Sequence, residues 1–200
     1  MRAERARGRH AREHAQVVAA AIAQGSVGAG TGATVAKDPD PTAGWKGGIG
    51  TASLEEDGVV VGALAAVNAL GSITEDDGTP IAANRHAEPE TSAASDASDE
   101  PPRLPGTNTT LVVVATNARL SKERAQLLAQ AGSEGLSLAV RPSHTMWDGD
   151  VVFALGTGAV DAGQPALERL AVRVVAEAIR RGVRLAEPLG GIPSVGGAQT

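Results

Sequence analysis

The 200-residue sequence predicts an α/β fold. Residues 58–67 form a nearly unbroken apolar run, as a strand covered on both faces does. A second apolar run, 110–117, leads into a helix start signal at Ser121. A third segment, opening near Pro165, repeats its apolar residues at helical spacing.

Taken in order, residues 3–24 predict a helix, with Ala15, Val18, Ala19 and Ile22 on one face and Gly25 as its stop. Gly25 to Ala33 is a glycine-rich loop, and Lys37 to Pro41 is rich in turn residues. Residues 45–54 and 58–67 predict two strands joined by a turn at 55–58. From about 74 to 107 the chain turns to Asp, Glu, Ser, Ala and Pro, which predicts a flexible acidic linker with no fold of its own. So long a loop in a compact domain needs a reason, and cleavage at its far end supplies one by freeing it as a tail. Strand 110–117 then precedes a helix capped by Ser121 and running to about Ala131, with Ala125, Leu128 and Ala131 facing inward. A turn at Arg141-Pro142 precedes the segment His144 to Asp150, and a strand follows at 151–155. The last helix has Leu167, Leu170, Ala171, Val174, Val175 and Ala178 as its apolar stripe and stops at Gly182.

Composition narrows the function classes. A net charge of −5 carries no nucleic-acid footprint. The absence of cysteine excludes disulfides, thiol nucleophiles and thiolate metal sites. One Phe, two Trp and no Tyr leave the core to Ala, Val, Leu and Ile, while 25 glycines point to tight backbone approaches. No secretory signal precedes the first helix and no apolar run reaches membrane-spanning length, so a soluble, cytoplasmic protein is expected. The chain opens abruptly in a charged, helix-like segment, as though entered partway through.

Chemistry concentrates at Asn108-Thr109, where the acidic linker becomes a strand. A threonine hydroxyl there can attack the carbonyl of Asn108, shift the acyl group from nitrogen to oxygen and release a new chain beginning with Thr109. The freed α-amine, with an ordinary pKa of roughly 7.7–8.0, then sits beside the hydroxyl as its base. The bland alternative is a strand opened by a β-branched residue. Asp148-Gly149-Asp150 places two carboxylates on one side of an extended segment, able to hold and relay a proton, or else forms a solvated Asp-Gly turn. Lys46, among glycines beside Trp45, can stabilise an oxyanion or simply be exposed. Asn68, ending the apolar strand, can donate to an oxyanion or cap a turn. The Gly28–Gly32 loop lacks the Gly-Lys-Ser/Thr of a phosphate loop. His10-Ala11-Arg12-Glu13-His14 spells an inverted zinc-protease motif but suits a solvated helix face better. His144 can assist Asp148 or stand at the surface or the core edge.

Together, Asn108–Ala118 and His144–Asp150 resemble the self-cleaving aminopeptidase and nylon-oligomer hydrolase family, which includes β-aminopeptidases and L-aminopeptidase/D-esterases. The runs Gly25–Ala33, Trp45–Gly50 and Val67–Gly71 resemble its large-subunit motifs, in the family's order. The resemblance implies a four-layer αββα sandwich like that of the N-terminal-nucleophile hydrolases. It implies that Thr109 is the nucleophile and that cleavage falls between Asn108 and Thr109. It matches Asp148 and Asp150 to two carboxylates supporting the nucleophile, Lys46 to a lysine near the reaction centre, and Asn68 to the oxyanion-hole asparagine. Residues 1–108 would be the C-terminal part of a large subunit and 109–200 the small subunit, within one structural domain. The substrates implied are short peptides or linear amides, with no cofactor and no metal, and the assembly a homo-oligomer of processed units. The family's large subunit is longer, so the resemblance also implies missing strands, uncovered apolar faces and the absence of an active-site tyrosine. Two alternatives stay open: an inactive family member serving as an interaction module, and an acyltransferase.

Overall fold

The computed structural model describes residues 22–86 and 107–197. The predicted helix up to residue 21, the His10–His14 motif and residues 87–106 of the predicted linker lie outside them. The described elements run β1 (Thr34–Val35), β2 (Trp45–Lys46), β3 (Ile49–Glu56), β4 (Val59–Asn68), β5 (Ser72–Thr74) and β6 (Pro80–Ala82). After the gap come β7 (Thr109–Ala118), α1 (Lys122–Ala139), β8 (Val140–Arg141), β9 (Val151–Val160) and α2 (Gln164–Arg184). The class is α/β, as the apolar runs predict.

The central sheet has the order β3-β4-β7-β9. β3 and β4 form a hairpin turned by Asp57 and Gly58, both at positive φ (51° and 80°), which matches the twist of the flanking strands. β4 pairs antiparallel with β7, while β7 runs parallel to β9 and reaches it through α1. Period-two alternation sorts the side chains of β7. Thr110, Val112, Val114, Thr116 and Ala118 are buried beneath the helices, where Val112 and Val114 join Leu128, Leu136, Leu170 and Val175 in one core of small and branched residues.

Both helices outrun their predicted ends. Ser121 accepts the Arg124 N–H and caps α1 as expected, but the helix continues past Ala131 through Gly132 and Gly135 to Ala139. These glycines look like helix weakeners and are close-approach positions: a Cβ on Gly132 would lie 2.8 Å from Cγ1 of Val152. Gly182 likewise fails to stop α2, because it is where the helix passes the backbone of Gly48.

The predicted linker is folded over its first part. β5 pairs with β6 and with β8 in a three-stranded sheet, so residues 74–86 are not a structureless segment. Its order rests on polar contacts that composition does not display. Asn84 Nδ2 donates to the carbonyls of Ala36 (2.9 Å) and Asp40 (2.7 Å), Arg85 Nε donates to Ala43 O (3.1 Å), and buried Arg180 donates to Thr74 O and Asp76.

Of the four layers implied by the resemblance, the described residues build one helical layer and one central sheet. The sheet face turned away from the helices carries exposed apolar side chains: Leu111 (46% exposed), Phe153 (58%) and Leu155 (48%). Thr109 and Asn68 lie on that face, at one end of the β4–β7 pair. Among the described residues no helix is long and apolar enough to cross a membrane.

Candidate active site

Three chain segments converge where β7 begins. Thr109 pairs with Asn68, the last residue of β4, and Asn108 forms a parallel bridge with Asp148 just ahead of β9. The sheet register therefore brings residues 40 and more positions apart into one cluster.

The carbonyl of Asn108 is held from two directions. It accepts the Gly149 N–H at 2.7 Å and the Thr109 hydroxyl, also at 2.7 Å. Asn108 itself is buried and Thr109 half-buried. This peptide bond is thus held between a side-chain hydroxyl and a backbone donor able to stabilise negative charge on its oxygen. Gly149 also leaves room for the hydroxyl, since a Cβ there would stand 2.7 Å from Oγ1 of Thr109. Gly149→Ala should displace the hydroxyl and slow any reaction at the Asn108 carbonyl by about a hundredfold, with the helical core untouched. Timed mass spectra of the two chains check this; equal rates would contradict the geometry.

The two carboxylates have different partners. Asp148 Oδ2 accepts the Thr145 N–H (3.0 Å) and the Thr145 hydroxyl (2.6 Å). Asp150 Oδ1 accepts the Thr110 N–H at 2.7 Å, and its Oδ2 accepts the His144 N–H at 3.1 Å. Asp150 is therefore tied to the backbone next to Thr109, and Asp148 to its own loop.

Asn68 is engaged at both ends of its amide. Its Oδ1 accepts from the Thr34 N–H (3.1 Å) and from Lys37 Nζ (3.0 Å), and its Nδ2 donates to Thr107 O at 3.1 Å. The amide thus points at the residue preceding Asn108.

The structure does not bring Lys46 into this cluster. Its amine, only 1% exposed, donates to the carbonyls of Thr31 (2.8 Å) and Gly30 (3.5 Å) and so fastens the glycine-rich loop. Burial alone holds its pKa below the ordinary lysine value. The lysine at the site is Lys37. Its Nζ lies against Asn68, burial lowers its pKa to about 8, and the charge of Asp148 partly restores it. No local pattern marks Lys37, because it reaches Asn68 through long-range bonds: the Ala36 and Lys37 N–H groups donate to Gly71 and Leu70. His144 faces Asp150 rather than Asp148.

Comparison with known proteins places the chain in a family. The sequence model of Peptidase family S58 matches residues 1–194. An uncharacterized aminopeptidase of Mycobacterium leprae is 41% identical over 152 residues, covering 72% of this chain and 40% of the relative. A second, from Mycobacterium tuberculosis, is 37% identical over 199 residues, covering 86% and 56%. The 6-aminohexanoate-oligomer endohydrolase of Paenarthrobacter ureafaciens is 31% identical over 167 residues, covering 79% and 46%. Among solved structures, the L-aminopeptidase D-Ala-esterase/amidase of Ochrobactrum anthropi, described as a variant of the Ntn hydrolase fold, superposes with a TM-score of 0.59 at 26% identity. It covers 86% of this chain and 47% of that one. A Burkholderia sp. β-aminopeptidase gives 0.61 at 27% identity, covering 89% and 52%. The chain spans about half the length of the curated relatives it matches.

Proposed function

Because this chain belongs to peptidase family S58, we propose that it is a self-cleaving N-terminal-nucleophile amidohydrolase with Thr109 as its nucleophile. The observation that carries this reading is the Asn108 carbonyl, gripped at 2.7 Å by the Thr109 hydroxyl and at 2.7 Å by the Gly149 N–H. In self-cleavage Oγ1 of Thr109 bonds to the carbonyl carbon of Asn108, and the developing oxyanion rests on the Gly149 amide. The C–N bond then breaks, and the hydroxyl proton, taken up by neutral Lys37, ends on the Thr109 nitrogen. Water hydrolyses the resulting ester, leaving residue 108 as a carboxylate and residue 109 as a free amine.

The same parts then serve an external amide. Asn68 Nδ2, which donates to Thr107 O in the uncut chain, becomes free to hold a substrate oxyanion once the 107–108 end withdraws. The hydroxyl proton passes by way of neutral Lys37 and the Thr109 α-amine to the nitrogen of the departing amine, with Asp148 and Asp150 fixing the charge around them. The acyl group on Thr109 is released by water. The substrates proposed are short peptides with a free amino end or linear ω-amino-acid amides. Residues 109–200 act as the small subunit of processed units that associate as oligomers, in the cytoplasm.

Acyl trapping tests the reading. After brief incubation with alanine p-nitroanilide and an acid quench, the 109–200 fragment is expected to carry one added alanyl group. Release of nitroaniline without any adduct on that fragment, or no release at all, would count against a Thr109 ester. Faster turnover with added amines than with water alone would identify an acyltransferase.

A further inference from the structure

We propose that His144, anchored to Ser133 of α1, is a positioning residue that sets Asp150 and, through it, the backbone beside Thr109. This rests on the reading of Thr109 as nucleophile and adds the device that holds the nucleophile in place. The Asp150 side chain is 1% exposed, so its oxygens depend on protein donors rather than solvent. Oδ1 accepts the Thr110 N–H at 2.7 Å, the amide directly following the nucleophile. Oδ2 accepts the His144 N–H at 3.1 Å, with His144 Nδ1 4.0 Å away. The far side of the imidazole, Nε2, is 2.8 Å from the Ser133 hydroxyl. When that hydroxyl donates to Nε2, the ring proton sits on Nδ1, the nitrogen facing Asp150.

The backbone adds an independent sign. His144 has φ 53°, a left-handed conformation that non-glycine residues keep only when their surroundings hold them there. The ring's bond to Ser133 of α1 and the backbone N–H bond to Asp150 hold the residue from two sides. In this way a helix packed on β9 is connected through Ser133, His144 and Asp150 to the Thr110 amide. Ser133, His144 and Asp150 do not make a second hydrolytic triad. Ser133 lies inside Lys122–Ala139, where backbone N–H groups are committed to the helix and none is left to build an oxyanion site.

The test uses the 200-residue chain and its His144→Asn, Ser133→Ala and Ser133→Thr variants. Asparagine tolerates positive φ and keeps the backbone N–H, so His144→Asn removes only the ring link. It is expected to slow self-cleavage about tenfold and to lower kcat on alanine p-nitroanilide equally, with KM within about twofold. Ser133→Ala should fall in the same direction by a smaller factor, and Ser133→Thr, which keeps the hydroxyl, should recover the rate. Thermal unfolding of each variant guards against general loss of structure, and the Ser133 pair carries the test if His144→Asn does not fold. Normal rates in His144→Asn and Ser133→Ala beside an inert Thr109→Ala chain overturn this proposal alone, as does a rise in KM at constant kcat. A wild-type chain that never cleaves overturns it together with the Thr109 reading.

Discussion

Thr109→Ala is expected to leave the chain uncut and without amidase activity while its fold stays intact. Thr109 is half-buried on the sheet face turned away from the helices, so deleting its hydroxyl removes no core contact. The stability change should stay within about 1 kcal/mol, in the range of substitutions outside the core. Both reactions, in contrast, need the Oγ–carbon bond, and the Thr109 hydroxyl is the side-chain group that meets the Asn108 carbonyl, where Gly149 offers only an N–H. Cleavage and turnover should therefore vanish together, and Thr109→Ser should keep both. Electrophoresis after prolonged incubation, with a p-nitroanilide assay on the same sample, checks the pair. Residual turnover in a folded Thr109→Ala chain would mean that another group performs the chemistry.

Lys37 gives the second large effect, because it titrates near neutrality. Burial lowers its pKa to about 8, and Asp148 opposes that shift. At pH 7 about a tenth of the amine is neutral and able to accept a proton. The self-cleavage rate should thus climb with pH, about tenfold per unit well below 8, and level off above it. Lys37→Met should flatten this rise and slow the reaction about a hundredfold. Asp148→Asn removes the charge that raises the Lys37 pKa, so its rise should move to lower pH. Stability follows the same linkage. The folded pKa lies below the unfolded value of 10.5, so between about 8 and 10.5 the unfolded chain binds more protons, and this lysine's cost falls as pH rises. Below pH 8 the cost is fully present, and Lys37→Met should be the more stable chain. A rate profile unchanged by Lys37→Met would remove the lysine from the proton path.

Much of the sheet is legible in the sequence because its strands are apolar runs. The runs at 58–67, 110–117 and 151–155 correspond to β4, β7 and β9, with Ser121 capping the helix after β7. The misplaced ends share one cause. Glycines at 132, 135 and 182 resemble helix stops until the neighbouring backbone and Val152 are seen pressed against them. Residues 74–86 look featureless because their order comes from partners far along the chain: Arg180 donates to Thr74 O, and Asn84 donates to Ala36 O. The site divides in the same way. Asn108, Thr109, Asp148, Asp150 and Asn68 lie at the ends of recognisable strands and meet through register. Lys46, whose glycine-rich surroundings draw attention, secures a loop, whereas Lys37 reaches Asn68 only through tertiary pairing. The Gly149 N–H is a backbone group, which a sequence of side chains does not display.

Intact mass spectrometry of the purified chain, incubated at neutral pH, tests the central claim most directly. Two masses that sum to the full chain plus one water are expected, with the split between Asn108 and Thr109. A single mass, that of the uncut 200-residue chain, unchanged with time and with rising pH, would contradict it.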